Sequence, residues 1–342
     1  MQTLKHMQDE LIFWYEKNGR KELPWRNLGR NLGGEFYDER LKNINRAYGV
    51  YISEIMLQQT LVKVVCEKYY FPFLEKFPTL ESLALAQEDE LLKAWQGLGY
   101  YTRARNLKKA AQTCLREFGG VLPRTIQDLR KLSGVGAYTA GAIACFGYDE
   151  KVSFVDANIR RVLSRLFALK NPKPKELEFQ AKRFLNHSDA YTHNQALIDL
   201  GALLCLPKNP KCSLCPLCEF CQARLTPHLY PQSKKLEYER LNLNLIFLQN
   251  QNKFALKKSQ EKLYYGLYNF IFFEDEECKD LKFLGEFKHS YTKYKIRVKI
   301  YHKNIAIQDA VREFKTYEFK TLEELENLAL SSLSLKALKF LV

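Results

Sequence analysis

The chain has 342 residues, long for one hydrophobic core, so two or three domains are expected. It is 46% hydrophobic and 13% aromatic, which excludes a disordered chain, and no apolar run approaches membrane-spanning length, so no membrane partner is expected. The net charge of +14 is uneven: from Lys93 to Lys131 nine Lys and Arg face only Glu117 and Asp128, the concentration that a polyanion-binding face requires, though a solvated helix face would look the same.

Residues 1–17 are amphipathic and charged, with no apolar signal core and no small-residue cleavage site. Cytoplasmic residence with reduced cysteines is therefore expected. Residues 29–46 are polar, rich in Gly and Asn, and read as an exposed loop. From there to residue 222 short apolar-periodic segments recur (52–73, 79–95, 103–118, 125–132, 138–146 and 158–169), which predicts an almost wholly helical region. Gly and Pro punctuate it at Pro78, 97–99, 119–123 and 134–136. Residues 223–240, with Pro227 and Pro231, read as a linker. Beyond them the period changes to two: Leu241, Leu243 and Leu245 alternate with asparagines, and Ile296, Val298 and Ile300 with Lys295, Arg297 and Lys299. A final helix is predicted over about 322–340. The fold class is thus mainly α, followed by a small α+β domain over 241–342.

Within the helical part, Glu54 sits among Tyr51, Ile52, Ile55 and Met56, an apolar setting that raises a carboxyl pKa. Gln58 is predicted one helical turn further on the same face. Gly134, Val135 and Gly136 form a tight hairpin between two helical segments, whose uncovered N–H groups suit a phosphate oxygen. Asp156 precedes a helix starting near Asn158, where the helix dipole favours ionisation. Taken singly, Glu54 reads equally as a helix-surface acid and Asp156 as a plain N-cap.

Cys205, Cys212, Cys215 and Cys221 are separated by six, two and five residues. Thiols this close, with no secretion signal, are metal or cluster ligands and not a disulfide framework. One compact loop supplying four thiolates suits a [4Fe–4S] cluster. Zinc, which more often takes two separated Cys pairs or a histidine, is the alternative. Cys218 lies in the same run and is a rival fourth ligand.

The sequence resembles the helix-hairpin-helix DNA glycosylases with an iron–sulfur cluster, the endonuclease III superfamily, and within it the MutY-type adenine DNA glycosylases. The resemblance is carried by Leu23-Pro24-Trp25-Arg26, by 53–60 (SEIMLQQT), by 97–107 (GLGYYTRARNL), by the 132–136 hairpin, by Val155-Asp156-Ala157-Asn158 and by the cysteines. These motifs span the first two-thirds of the chain in the family's order. The resemblance implies a six-helix barrel over 41–149 and a cluster domain from 1–40 and 150–222. It also implies a Nudix-like lesion-recognition domain after the linker.

Breaking an N-glycosidic bond calls for an acid at the leaving base and an anion near the sugar cation. The resemblance assigns the first role to Glu54 and the second to Asp156, with Tyr138 hydrogen-bonding near Asp156 and Asn158 placing water. Lyase-competent relatives carry lysine where Tyr138 stands, so a monofunctional glycosylase is implied. Gln58, Gln59 and Tyr100 match positions at the DNA, the latter two wedging into the base stack. Tyr291, Thr292 and Lys293 stand where many relatives have Phe-Ser-His, the segment that inspects the opposing base. The implied partner is duplex DNA with adenine opposite 8-oxoguanine or guanine, met by a monomer. Two rivals follow: an oxidised-pyrimidine glycosylase/lyase of the endonuclease III type, and a non-catalytic DNA binder using the cluster as scaffold.

Overall fold

The computed structural model describes residues 2–29, 34–232, 237–261, 264–291, 293–306 and 316–341, so Thr292 lies outside the described residues. The chain forms two compact units. The first comprises Met1–Leu85 and Asn106–Lys234, the second Ala86–Arg105 and Lys235–Val342.

The first unit is helical. Helix α1 (Gln2–Asn18) buries Met7, Leu11 and Tyr15, a single stripe at helical spacing. In α2 (Arg46–Met56) the Asn45 side chain caps the start by accepting the Tyr48 N–H, and every residue from Ala47 to Met56 is buried. A helix covered on all sides is the centre of its domain. Gly147 lets a π turn at Ile143–Gly147 lie against it, since a Cβ there would fall 2.9 Å from the Ala47 Cα. The predicted continuous helix over 52–73 is broken. Gln59 takes φ +61°, which ends α2, and the chain restarts as α3 (Val62–Val64), a π turn at Val65–Tyr69 and α4 (Tyr70–Lys76). Gln58 therefore lies in the turn after α2, not on the Glu54 face of the helix. After α5 (Leu80–Leu85) the chain enters the second unit as α6 (Glu88–Ala94) and returns along α7 (Thr102–Glu117).

Helices α8 (Ile126–Leu129) and α9 (Ala137–Ala142) flank the hairpin. Gly134 adopts φ +77°, and a Cβ there would meet the Asn106 Cβ at 2.8 Å. Ser133 fixes the turn by donating to Asn106 Oδ1 at 3.0 Å. Val135 is buried, while Gly134 and Gly136 stay exposed. Replacing Gly134 by Ala meets both backbone strain and the Asn106 side chain, so we expect a loss of about 1–3 kcal/mol in denaturant titration. The unit closes with α10 (Ala157–Leu166), α11 (Pro174–Phe184) and α12 (Ala190–Leu203).

The second unit carries seven strands among the described residues: β1 (Glu239–Asn250), β2 (Lys253–Lys258), β3 (Tyr268–Asn269), β4 (Ile271–Phe273), β5 (Lys282–Tyr291), β6 (Tyr294–Asn304) and β7 (Glu318–Thr321). Their order is β3-β2-β1-β6-β5, with β4 on β1 and β7 on β2. Strands β1 and β6 run parallel from Glu239↔Tyr294 to Gln249↔Asn304; the other ladders are antiparallel. The alternation of β6 is as predicted, but Leu245, Ile246, Phe247 and Leu248 in β1 are all buried, because the sheet is covered on both faces along this stretch. The predicted final helix is two, α13 (Leu322–Glu326) and α14 (Ser332–Ala337). Between them the backbone pairs with β3 instead: the Tyr268 N–H donates to Ala329 O and the Ser331 N–H to Tyr268 O, both at 2.9 Å. No helix among the described residues is long and apolar enough to cross a membrane.

Candidate active site

In the first unit a cavity of about 830 Å³ brings together Glu54, Gln58, Gln59, Tyr138, Asp156 and Asn158, with Arg20, Trp25 and Arg26 in its wall. That volume is within the range of ligand sites. Glu54 comes from the last turn of α2, a helix that the core holds on every side. Its carboxyl is 5% exposed and is pushed up to about 7 by burial, aided by the neighbouring Asp156 charge and opposed by Tyr138 and Arg26. The Tyr138 hydroxyl donates to Glu54 Oε2, so its partner is Glu54 and not Asp156. The Tyr138 ring is held edge-on against Phe154 at 5.6 Å.

Asp156 caps α10, its Oδ1 accepting the Ile159 N–H at 2.6 Å and its Oδ2 the Asn158 amide at 2.9 Å. Burial nonetheless raises its carboxyl above the usual range, outweighing the Ile159 and Asn158 hydrogen bonds. The helix terminus favours ionisation as expected, but desolvation costs more than its N–H groups return. Asn158 is positioned by the close approach of α12, where a Cβ on Gly201 would lie 2.6 Å from the Asn158 Cβ. Arg161 then ties the pocket to the cysteine loop. It donates to Asn158 Oδ1 at 2.9 Å, to Gly201 O at 2.7 Å and to Cys205 O at 2.6 Å.

The sequence reading missed a buried ion-pair array behind this pocket. Arg26 grips Asp199 with two hydrogen bonds of 2.8 Å, and Arg20 adds three more, from its backbone N–H at 2.8 Å and its guanidinium at 2.9 and 2.5 Å. Burial works against the Asp199 charge, but the Arg26 and Arg20 hydrogen bonds and charges hold it below the usual carboxylate range. The available cue was one acid inside the apolar run of α12; its partners lie more than 170 residues away. Trp25 is buried against Tyr70 and also walls the cavity.

The predicted basic face breaks up residue by residue. Arg103 is buried, donating to Leu98 O at 2.9 Å and Gly99 O at 3.2 Å, with its pKa lowered to about 10 by burial. It holds the glycine loop. Arg105 pairs with Glu88, Arg116 with Glu117 and Lys131 with Asp128, while Lys109 and Arg130 are exposed.

In the second unit Tyr100, at φ +45°, stacks on Tyr291 with ring centres 6.1 Å apart. Both line a cavity of about 240 Å³ with Tyr264, His289 and Ser332, where the Tyr264 hydroxyl and His289 Nε2 share a hydrogen bond of 3.2 Å. Lys293 lies on the surface, its ammonium paired with Glu239.

Cys205, Cys212, Cys215 and Cys221 line one small cavity, and Cys218 lines it too. The buried Arg165 guanidinium donates to Cys205 Sγ at 3.3 Å, and the Arg165 carbonyl accepts from Cys221 Sγ at 3.5 Å. Burial pushes Cys215 up to about 12 and Cys221 up to about 11, their neighbouring thiols adding to the rise. Thiols in this setting become thiolates only against a compensating positive charge such as a metal's. Among the described residues no three Cys, His, Asp or Glu side chains gather where one metal ion could sit.

A helical scaffold with a glycine hairpin, a high-pKa carboxyl sharing a cavity with a second carboxylate, and a cysteine loop linked through Arg161 to Asn158 defines the helix-hairpin-helix glycosylase class. Residues 52–187 match the HhH-GPD superfamily of base excision DNA repair proteins. The chain is 36% identical over 310 residues to an adenine DNA glycosylase of Buchnera aphidicola subsp. Baizongia pistaciae, covering 84% of this chain and 83% of that protein. It is 39% identical over 222 residues to the adenine DNA glycosylase of Mus musculus, 63% of this chain and 41% of the mouse protein. The solved structure of a thermostable thymine-DNA glycosylase aligns with TM-score 0.57 and 26% identity, over 65% of this chain and 97% of that one. The chain belongs to the adenine DNA glycosylase family of the HhH-GPD superfamily, whose endonuclease III and MutY-type members typically carry iron–sulfur clusters.

Proposed function

We propose that this chain excises adenine lying opposite 8-oxoguanine or guanine in duplex DNA, by hydrolysing the N-glycosidic bond without cutting the strand. The observation carrying this reading is the Glu54 carboxyl, raised to about 7 and sharing one cavity with Asp156. At neutral pH a large fraction of Glu54 is protonated and able to hand its proton to an extruded adenine, turning the leaving anion into a neutral base. Tyr138 orients that carboxyl through its hydroxyl. Asp156, held by Ile159 and Asn158, stands as the anion beside the sugar cation, and Asn158 helps place the water that completes hydrolysis. Gln58 and Gln59, in the turn at the cavity rim, suit contact with the strand from which the base is drawn.

A phenol at position 138 forms no imine with the sugar, which supports hydrolysis over strand cleavage. Cys205, Cys212, Cys215 and Cys221 are the proposed ligands of a [4Fe–4S] cluster. Zinc would need all its sulfurs about 2.3 Å from one centre, whereas a cluster spreads its thiolates over four irons, which better suits thiols that line a cavity without meeting at a point. The cluster would act as a scaffold, and Arg161 transmits its position to Asn158. The second unit is proposed to be the Nudix-like module that inspects the opposing base, a reading that the stacked Tyr100 and Tyr291 support.

The test uses duplexes with adenine opposite 8-oxoguanine, guanine or thymine, followed by alkali to cleave abasic product. We expect cleavage after alkali for the first two, little for thymine, and no covalent adduct on borohydride treatment. Efficient borohydride trapping, or release of an oxidised pyrimidine in place of adenine, would overturn the reading.

A further inference from the structure

We propose that the uncovered half of the β1-β6-β5 sheet face in the second unit is a docking surface for the phosphate backbone of duplex DNA, distinct from the aromatic cavity that faces the other way. The inference rests on the DNA-repair reading above and adds a surface to it. On this face the register sets Arg240 beside Lys295 and Lys288 opposite Arg297, with Lys299 opposite Glu286 one step further. The alternate residues of β6 (Ile296, Val298 and Ile300) point into the opposite core. At the far end the same face is covered, where Ile246, Leu248 and Ala255 pack with Cys278 and Leu281. At this end Arg240, Lys288, Lys295 and Arg297 are exposed.

Like charges directly opposite on neighbouring strands destabilise a sheet, and here five cations share one face with Glu286. Arg297 takes that acid in two hydrogen bonds of 2.9 and 2.8 Å. Among the described residues no carboxylate forms an ion pair with Arg240, Lys288, Lys295 or Lys299. Tyr238 lies over Lys295, 4.3 Å from ammonium to ring centre, and holds that charge at the surface. A repulsion kept without local neutralisation is relieved by a polyanion. Strands about 4.8 Å apart with residues repeating every 6–7 Å along each present those cations as a flat grid that a run of phosphates can cross. Tyr291, the last residue of β5, sits on the opposite face at the same end of the sheet, so the grid and the aromatic cavity share that edge.

The experiment compares the full chain with the Lys288→Gln/Lys295→Gln double variant and with the Lys288→Arg/Lys295→Arg control. Binding to a labelled duplex is followed by anisotropy across a salt series. Because the double variant leaves two phosphates without a cation, the slope of log affinity against log salt should become shallower by about 1.8. The weakening should be equal on undamaged duplex and on duplex with adenine opposite 8-oxoguanine, since phosphate binding carries no sequence information. The arginine control should restore the slope, and single-turnover excision at saturating protein should be unchanged. An unaltered slope, or a weakening confined to the lesion duplex, would overturn the proposal. Failure of the full chain to excise adenine would instead overturn the reading of function, which the binding slopes do not depend on.

Discussion

Glu54→Gln should lower single-turnover adenine release by about 10²–10⁴-fold while leaving affinity for the duplex within about threefold, because the variant loses a transferable proton and little else. Gln keeps the shape and still accepts the Tyr138 hydroxyl. The pH dependence follows from the same group. With its pKa near 7, the protonated fraction falls as pH rises through neutrality, so wild-type release should slow above pH 7 and the residual rate of the variant should not. Stability moves in the corresponding direction. A carboxyl whose folded pKa lies above its unfolded value contributes most below about 4.5, and that contribution is lost as pH climbs through about 7. At pH 8 the variant should therefore be more stable than wild type, by at most on the order of 3 kcal/mol, and the gap should close at pH 5. Thermal melts at the two pH values read this directly. A variant that lost activity without gaining stability at pH 8 would mean that Glu54 is not a desolvated acid.

The residues alone make legible what local chemistry determines. The apolar neighbours of Glu54, the Gly134 and Gly136 spacing and the cysteine run each lie within a few residues, and in the structure Glu54 is buried, the hairpin is tight and the thiols share a cavity. The misjudged features depend on what arrives from elsewhere in the chain. Nothing near Gln59 announces a left-handed residue, so Gln58 reads as part of a helix that has already ended. Asp156 reads locally as a helix cap, and only the walls of the cavity, drawn from several separate segments, supply the desolvation that raises its pKa. The Arg26–Asp199 pair joins residues 173 apart, and no periodicity records it. Strand β1 is covered on both faces, which erases the alternation over Leu245–Leu248, and the break between α13 and α14 follows from pairing with β3.

Asp156→Asn should separate the structural from the chemical role of the second carboxylate. As an N-cap Asn is about as good as Asp, so the Ile159 N–H keeps its acceptor. The charge is lost, however, and the new amide meets the Asn158 amide that formerly donated to Oδ2. Asn158 cannot simply turn over, because its own oxygen accepts from Arg161. One hydrogen bond is therefore forfeited, about 1 kcal/mol, while the cost of burying an anion disappears, so net stability should change by no more than about 1 kcal/mol. The rate should behave otherwise. An anion facing a developing sugar cation in a water-poor cavity acts far more strongly than in water, and its removal should lower single-turnover release by about 10²–10³-fold. Asp156→Ala should add the loss of the cap, about 1 kcal/mol more in denaturant titration, with little further loss of rate. If Asp156→Asn retained activity within about fivefold of wild type while Asp156→Ala only destabilised the fold, Asp156 would be a cap alone. The cation would then have to be met by Glu54 after it has given up its proton.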